Sequence, residues 1–422
     1  MNTTARLASF STANPHALAT ILEASETKRI IASRDIFDAS GIKLWARSQA
    51  VSQELQRKLL DRQLRQPLES CLRAEDGVTP HTLVKTLQAQ LDQDTPLSTI
   101  LLRHADKLLR EAGQIPVHPV AQLLLTASQA SRPESFKHAV QAMALNGALM
   151  IERGGSVHDL RLAMLCGLLH DLGEMYIAPE YGEMDADRTL DFQNYQQLVV
   201  HPHIGYLLLT QLTDYPPVMA RAVAEHHERL DGSGYPHSLH GPQVSPHGRL
   251  LAVTDATLNV LRSQQPNLAR ASVALRVVPG EFDLQCVGLI SKAALTQKTP
   301  PTRLSSSAIQ TRLDGLDTLM KKTQDHASVL LTIAEAPALK EALNLAHHLL
   351  ARLRVGWNAS GLWSADAMDA QDAVELEAIE DELLFRLRAI HRAILLRAAK
   401  LSDTDTQRLS LLCEHLAIDE GA

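Results

Sequence analysis

The sequence predicts a mainly α protein, with helices in each of three regions and one short β-hairpin near the N-terminus. Its 422 residues are rich in leucine and alanine, while aromatic residues make up only 4%. This balance favours packed helices over a β-sandwich. Near the C-terminus, apolar residues recur at steps of three and four, which predicts one apolar stripe along a helix. The stripe consists of Leu376, Ile379, Leu383, Leu387, Ile390 and Ile394.

Two breaks divide the chain into three expected domains. Residues 113–119 (GQIPVHP) and the stretch from Pro300 to Ser307 have the proline, glycine and serine content of linkers. We therefore expect a small N-terminal region with a hairpin and helices at 1–115, a central all-helical domain at 116–296, and a helical C-terminal region at 309–422.

The hairpin is expected from a turn between two extended stretches. Residues 30–37 (IIASRDIF) precede the turn Asp38-Ala39-Ser40-Gly41, and residues 42–45 (IKLW) follow it. Aspartate at the first turn position and glycine at the fourth are typical of such a turn. Helical patterns come next, with Leu55, Leu59, Leu60 and Leu64.

Charge and cysteine content restrict the classes of function. The chain has 41 basic and 48 acidic residues, a formal net charge of −7, so it has no general electrostatic reason to bind a nucleic acid polymer or an anionic membrane. No apolar run approaches the ~20 residues that span a bilayer, and the polar N-terminus lacks a signal pattern. Widely spaced cysteines predict reduced thiols in a cytoplasmic protein. They are Cys71, Cys166, Cys286 and Cys413.

The middle of the chain contains an ordered series of histidines and carboxylates. Its first two members are four residues apart and share a helix face, its HD pair follows an apolar run, and its last aspartate lies inside another. Imidazole and carboxylate together suit divalent transition metals such as Fe, Mn or Zn. The series offers ligands for two or three ions, with positions left for water and substrate. In chain order it is Glu134, His138, His170, Asp171, His201, His226, His227 and Asp255.

The order of this series is more specific than any of its dipeptides, because the chain repeats each dipeptide elsewhere. A single such pair is more often a surface or capping feature than a metal ligand. Only the complete run, ending in a histidine pair with a glycine-rich loop and an aspartate in an apolar helix, predicts a metal centre. The repeated pairs outside the run are His118-Pro119, His158-Asp159 and His347-His348.

Two segments resemble the HD-GYP family: residues 170–173 (HDLG) and residues 226–236 (HHERLDGSGYP). The resemblance covers about residues 130–296 and includes Gly280-Glu281-Phe282-Asp283. It implies an all-helical phosphohydrolase core that hydrolyses cyclic di-GMP at a bi- or trinuclear centre, with Fe or Mn as the expected metals. It also implies metal-ligand roles for His138, His170, Asp171, His201, His226, His227 and Asp255, with Glu134 matching an additional ligand of members that hold a third metal.

Within this resemblance, His170 and Asp171 are the expected catalytic pair. Asp171 is the natural bridging carboxylate, because each of its oxygens can reach a different metal. The loop residues Gly232, Gly234, Tyr235 and Pro236 are expected to bind substrate: the glycines permit a tight loop, and the tyrosine ring can stack on a base or a partner. The alternative for this loop is a simple connection between helices.

The sequence departs from the family where phosphate is bound. The family has lysine four residues after the motif histidine, and this chain has Glu174. Two basic residues usually follow the last aspartate, but residues 263–267 (SQQPN) carry no charge, and Arg262 and Arg270 stand in a different register. Glu174 is expected to be a solvated helix residue, a metal ligand, or a group facing the substrate phosphate.

Three functions remain open at this point. The first is a cyclic di-GMP phosphodiesterase that yields the linear dinucleotide or GMP. The second is hydrolysis of another cyclic dinucleotide, since an altered phosphate clamp can change base or linkage preference. The third is a sensor or scaffold that contacts diguanylate cyclase (GGDEF) domains through the GYP loop. The C-terminal stripe is expected either to form a homodimer seam or to pack inside its own domain.

Overall fold

The computed structural model describes residues 10–178, 198–262, 266–296, 306–359, 370–398 and 401–414. Helices dominate these ranges, and the strands within them are four short segments, so the prediction of a mainly α protein is confirmed. None of the described helices has the length and apolar character needed to cross a membrane.

The N-terminal region consists of short helices around two small sheets. Side chains that accept backbone N–H groups begin several of these helices: Asn14 accepts from the amides of His16 and Ala17, and Thr79 and Thr95 form capping boxes directly before a proline. The helices are α1 (Pro15–Ala24), α2 (Gln53–Leu59), α3 (Leu68–Cys71), α4 (Pro80–Leu91), α5 (Pro96–Leu101) and α6 (Ala105–Ala112), and the strands are β1 (Ile30–Ala32), β2 (Ile36–Phe37), β3 (Lys43–Trp45) and β4 (Leu72–Ala74).

The expected hairpin is confirmed, but only part of the extended stretch belongs to it. β2 pairs antiparallel with β3 across the turn, where Gly41 has a φ of +89° and its amide donates to the carbonyl of Asp38. β1 instead pairs antiparallel with β4, which lies far along the chain. No local pattern in the sequence predicts the pairing of β1 with β4.

The central region is all-helical, as expected. A buried polar chain joins three of its helices: Asn146 donates to the carbonyl of Ala163, and Thr254 donates to the side chain of Asn146. The helices are α7 (Pro119–Ser131), α8 (Pro133–Glu152), α9 (Val157–Leu169), α10 (His201–Leu212), α11 (Pro217–Glu225), α12 (Pro246–Leu261), α13 (Leu268–Arg276) and α14 (Leu284–Ala294), with a 3-10 helix at Leu172–Tyr176.

The N-terminal and central regions share one hydrophobic core. Buried residues from Ala17 to Ala293 form a single cluster, so the predicted linker at residues 113–119 is a connection inside a continuous core. Polar contacts join the same two regions: the hydroxyl of Tyr176 donates to buried Glu69 at 2.6 Å, and Asn14 donates to the carbonyl of Tyr176. The domain limits at 115, 116 and 296 remain predictions.

The C-terminal region has a separate core that also includes Val273, Val277 and Val278 near the end of α13. The whole stripe predicted from the sequence is buried in this core, so it packs inside its own bundle and is not exposed as a dimer seam. The residues of the second linker from 297 to 305 lie outside the described residues. The helices are α15 (Ser306–Ile333), α16 (Pro337–Ala359), α17 (Ala370–Ala398) and α18 (Asp403–Glu414).

The cysteines agree with the expectation of reduced thiols. Cys71, Cys166 and Cys286 are buried and not in disulfides within the described part of the chain. Burial raises the pKa of Cys166 and of Cys286 to about 12, so both thiols stay protonated. The side chain of Cys413 lies outside the described residues.

Candidate metal centre

Three buried histidines stand at helix ends and are held in the same way. The Nδ1 atom of each ring donates a hydrogen bond to the backbone carbonyl three residues earlier. A carbonyl only accepts, so Nδ1 carries the proton and the Nε2 lone pair points away from the helix. The bonds run from His170 to Gly167 at 2.8 Å, from His201 to Leu198 at 2.7 Å, and from His226 to Val223 at 2.6 Å.

Asp171 lies between two pairs of histidines. The Nε2 atoms of His138 and His170 are 3.3 Å apart, and those of His201 and His226 are 3.1 Å apart. Oδ2 of Asp171 lies 2.9 Å from Nε2 of His170 and 3.3 Å from that of His138. Oδ1 lies 3.6 Å from His201 and 3.5 Å from His226. Each carboxylate oxygen therefore faces a different pair.

The remaining histidine and aspartate of the series lie beside this arrangement. Nδ1 of His227 is 3.5 Å from Oδ2 of Asp255, and Oδ1 of Asp255 is 4.0 Å from Nε2 of His170. Asp255 is fully buried on α12, where Asn259 donates to its Oδ2 at 3.2 Å. Helices α9, α11 and α12 thus bring distant parts of the sequence to one point.

Burial and neighbouring charges set the protonation of the cluster. Burial lowers the pKa of His138 to about 4, with a further contribution from the charge of Arg262, and burial lowers the pKa of His226 to about 4. Burial also disfavours a charged His170, but the carboxylates of Asp171 and Asp255 outweigh it and raise the pKa of His170 to about 9. Burial opposes ionisation of Asp171, yet the surrounding imidazoles hold its pKa well below the usual range.

These side chains fit divalent metal ions. In the described residues, two sets have ligand atoms within 4.8 Å of one another, and Asp171 belongs to both. The Nε2 atoms of two facing imidazoles 3.1 Å apart repel each other unless a proton or a cation lies between them. Imidazole and carboxylate donors in this arrangement suit a divalent transition metal. The sets are His138, His170 and Asp171, and Asp171, His201, His226 and His227.

Glu134 and Asp255 stand outside both sets. The Glu134 side chain is 67% exposed in the first turn of α8, and it pairs with Lys137 at 3.5 Å. Asp255 is buried beside His227, as described above. The structure thus collects most of the predicted series and does not bring Glu134 to it. The ligand roles of all of these residues remain predictions.

The glycine-rich loop folds back over the histidine pair. The ring of Tyr235 stacks on His227 with centroids 4.6 Å apart, and its amide donates to the carbonyl of His227 at 3.1 Å. Gly232 has a φ of +83°, and a side chain at Gly234 would collide with that same carbonyl. Buried Glu228 accepts amide hydrogens from two residues beyond Pro236, which fixes the far end of the loop. Substrate binding by Gly232, Gly234, Tyr235 and Pro236 remains a prediction.

Glu174 is buried rather than solvated, being 6% exposed in the 3-10 helix after the HD pair. It is not a member of either ligand set among the described residues. Arg132, between α7 and α8, donates to its backbone carbonyl at 3.4 Å. Burial lowers the pKa of Arg132, and the negative charge of Glu174 opposes that effect. The two charges are therefore close enough to influence each other.

Two arginines near the centre were given no role from the sequence. Arg262, at the end of α12, donates to Asn259, which in turn donates to Asp255, and its charge acts on His138. The sequence had placed Arg262 in a different register from the family's basic residues, and Arg132 received no role. For Arg132, the sequence signal for a role near the centre is its position two residues before Glu134.

The repeated dipeptides behave as expected for features outside the centre. The ring Nδ1 of His118 accepts the amide of Val120 and caps α7. His158 is exposed in the first turn of α9, and His347 lies on α16 near Gln324. None of these histidines belongs to a possible metal-binding set within the described residues.

Comparison with known proteins gives the class of the central region. Residues 124–278 match the sequence profile of the HD domain family. The match includes all of the predicted metal ligands.

Individual relatives are similar over parts of their length. A cyclic di-GMP phosphodiesterase of Pseudomonas aeruginosa is 30% identical over 196 residues, 45% of this chain and 47% of that protein. The 3'3'-cGAMP-specific phosphodiesterase 1 of Vibrio cholerae is 27% identical over 150 residues, 35% of this chain and 33% of that protein. A cyclic di-GMP phosphodiesterase response regulator of Xanthomonas campestris is 33% identical over 121 residues, 28% of this chain and 31% of that protein. The chain thus spans less than half the length of each of these relatives.

Proposed function

We propose that this chain is an HD-GYP-type phosphodiesterase that hydrolyses cyclic di-GMP with a centre of at least two divalent metal ions. The observation that carries the proposal is the position of Asp171, whose two oxygens face separate histidine pairs. The names of the relatives support a cyclic dinucleotide as the substrate class.

The ligand sets suggest how the metals would be held. One ion would take His138, His170 and one oxygen of Asp171, and the other would take the second oxygen with His201 and His226 or His227. Asp255 would complete a site through its buried carboxylate, and Fe or Mn suits this mixture of imidazole and carboxylate. A third ion would need Glu134 to leave Lys137 and turn toward the centre.

Metal ions bound here would supply a lowered pKa for an attacking water and neutralise charge on the phosphodiester oxygens. The chain's residues supply the geometry. Backbone carbonyls accept the Nδ1 protons of His170, His201 and His226, which leaves Nε2 of each ring as the atom that would bind a metal. Asp171 stays ionised near neutral pH and is available to both ions. Tyr235, stacked on His227, restricts the orientation of that imidazole ring.

Two arginines provide the positive charge that an anionic substrate requires. Arg262 acts on His138 from the end of α12, and Arg132 lies beside Glu174. Neither occupies the register of the family's basic residues. The proposal is that they replace the missing clamp, with Glu174 reducing the contribution of Arg132.

The same features favour two alternatives. The arginines proposed to bind phosphate stand at other positions than the family's basic residues, which can change the substrate preference. A different cyclic dinucleotide such as 3'3'-cGAMP is therefore a second candidate substrate, in line with the name of one relative. A sensor or scaffold that binds diguanylate cyclase domains through the loop at 232–236 is the other alternative. It is favoured by the acidic Glu174 in place of a lysine.

A substrate panel tests the proposal. The full chain, purified without oxygen and loaded with Mn or Fe, should convert cyclic di-GMP to the linear dinucleotide or GMP faster than it converts 3'3'-cGAMP. Faster conversion of 3'3'-cGAMP would select the second candidate. Binding of either dinucleotide by metal-loaded protein without product would select the sensor.

A further inference from the structure

A buried network of charges joins the C-terminal bundle to the loop that carries the histidine pair. Its central residue is Arg386 on α17, whose Nη1 contacts the carboxylate of Glu281 and whose Nε lies 2.6 Å from Glu382. Arg386 also donates to the backbone carbonyl of Ala274 at the end of α13 at 3.2 Å. One side chain of the bundle thus reaches three groups, two of which belong to the central region.

Glu281 passes this contact on to the histidine loop. Its side chain is 1% exposed and lies 3.4 Å from Nε of Arg229, and its backbone carbonyl accepts the amide of Leu230 at 2.8 Å. Arg229 and Arg386 both lie over the ring of Phe282, with 4.8 Å and 5.8 Å between guanidinium and ring centre. Two arginines from different regions therefore enclose one glutamate and one ring.

Arg229 holds the backbone of the proposed ligands directly. Its Nη1 donates to the carbonyl of His226 at 3.3 Å and to that of Glu228 at 3.0 Å. The carbonyl of Arg229 accepts the amide of Gly232, which begins the glycine-rich turn. The path from the bundle to the histidine pair thus consists of Arg386, Glu281 and Arg229, each in direct contact with the next.

The charges of this path depend on one another. Removing one member of a buried ionic network is unfavourable, because its partner is left without its counter-charge. Without Arg386, the arginine left beside Glu281 among the described residues is Arg229, which would turn toward Glu281 and away from the carbonyl of His226. The position of the histidine loop therefore depends on a residue outside the HD domain.

We propose that Arg386 is a positioning residue for the metal centre, through which the C-terminal bundle sets the geometry of the loop from His226 to Gly232. This inference rests on the proposed function for its catalytic consequence, but its structural consequence does not require metal or activity. A bundle that shifted α17 would loosen the loop and weaken the centre, so the C-terminal region would act as a control element.

Arg386→Ala in the full chain tests the proposal. In metal-free protein, hydrogen exchange at the Leu230 amide and through the glycine-rich turn should become at least about tenfold faster, because the bond to the Glu281 carbonyl is released. Metal affinity should fall by roughly 10-fold, the lower end of the effect expected for a residue that orients ligands.

Arg312→Ala provides the matched control. Arg312 on α15 pairs at 2.6 Å with buried Glu380 of α17, the helix that carries Arg386. Within the described residues this ion pair does not involve Glu281 or the loop. The Arg312→Ala substitution should destabilise the C-terminal bundle without changing hydrogen exchange in the loop or metal affinity. Equal loop exchange in wild type and Arg386→Ala, or an equal increase in Arg312→Ala, would overturn the inference.

Arg386→Lys covers the case in which the alanine variant does not fold. Lysine keeps the charge but lacks the planar fork that reaches Glu281, Glu382 and Ala274 together. Loop exchange should lie above wild type while exchange in α15 and α16 stays at the wild-type rate, and an unchanged loop would again contradict the inference. If the wild-type protein binds no metal, that result would count against the proposed function, whatever the hydrogen-exchange measurements show.

Discussion

The carboxylate of Asp171 turns back onto the imidazole of the preceding residue, with Oδ2 only 2.9 Å from Nε2 of His170. This contact leaves Oδ1 facing the opposite pair of histidines, so one side chain joins two ligand sets. A shared carboxylate has consequences that an ordinary single ligand would not have.

Asp171→Asn should therefore remove more metal than any single histidine substitution. The amide keeps the shape of the side chain but loses the negative charge that both sets use, so metal content should fall close to zero. His138→Ala should lose about one ion, because His138 belongs to one set only. Elemental analysis of anaerobically purified proteins measures both. Equal losses in the two variants would mean that Asp171 does not bridge.

The histidines outside the centre should be dispensable for metal. His118→Ala, His158→Ala and His347→Ala should retain wild-type metal content, because these residues cap a helix, face solvent or lie in the bundle. His118→Ala should cost about 1 kcal/mol of unfolding free energy through the lost cap. Loss of metal from the His347 variant would show that the C-terminal bundle holds a site of its own.

Glu174 should weaken substrate binding through its charge on Arg132. Glu174→Gln keeps the size of the buried side chain and removes the charge that faces the guanidinium, so the apparent KM for a cyclic dinucleotide should fall roughly threefold to tenfold. Because Glu174 is buried, raising the salt concentration should reduce this gain only slightly. Arg132→Ala should have the opposite effect on KM.

Two results would contradict this account of Glu174. An unchanged KM in Glu174→Gln would mean that Arg132 does not face the substrate. Loss of metal from the same variant would show that Glu174 belongs to the metal centre after all. Metal content and kinetics should therefore be measured on one preparation.

Glu69 should make stability depend on pH. Burial raises its pKa above the ordinary 4.5, although the hydrogen bond from Tyr176 opposes that effect. A raised pKa means that the folded state binds the proton more tightly, so the stabilisation is complete below the ordinary pKa and is lost as pH rises through the folded one. Glu69→Gln keeps an acceptor for Tyr176 and removes the titration.

Urea unfolding between pH 4 and pH 8 checks this prediction. The wild type should lose free energy of unfolding relative to Glu69→Gln as pH rises. Parallel curves for the two proteins would show that Glu69 does not titrate in this range. Because Glu69 lies in the N-terminal region, metal content should be the same in both.

The sequence predicted the centre more fully than its surroundings. His170, Asp171, His226 and His227 could be identified because each follows or ends a helical pattern, and helix ends bring such residues together. The exposure of Glu134 could not be foreseen, because a spacing of four residues places it on the face of His138 but does not fix its rotamer. Which side chain in the first turn of a helix points inward depends on the packing around it.

Non-local contacts account for the other differences. β1 pairs with β4, and Arg386 contacts Glu281. In both cases the partners are far apart in the sequence, so hydrophobic periodicity does not predict the contact. The sequence alone places Arg262 outside the register of the family's basic residues. In the fold it lies at the end of α12, where its charge acts on His138. Motifs indicate candidate ligands, whereas the charges around them depend on the tertiary arrangement.

Turnover of cyclic di-GMP, measured on protein whose metal content has been determined in the same sample, tests the central claim most directly. The account predicts at least two transition metals per chain and formation of the linear dinucleotide or GMP. It also predicts that His170→Ala combined with Asp171→Ala abolishes both, while His158→Ala changes neither. Wild-type protein that is folded but free of metal after anaerobic purification, or turnover that survives the double substitution, would contradict it.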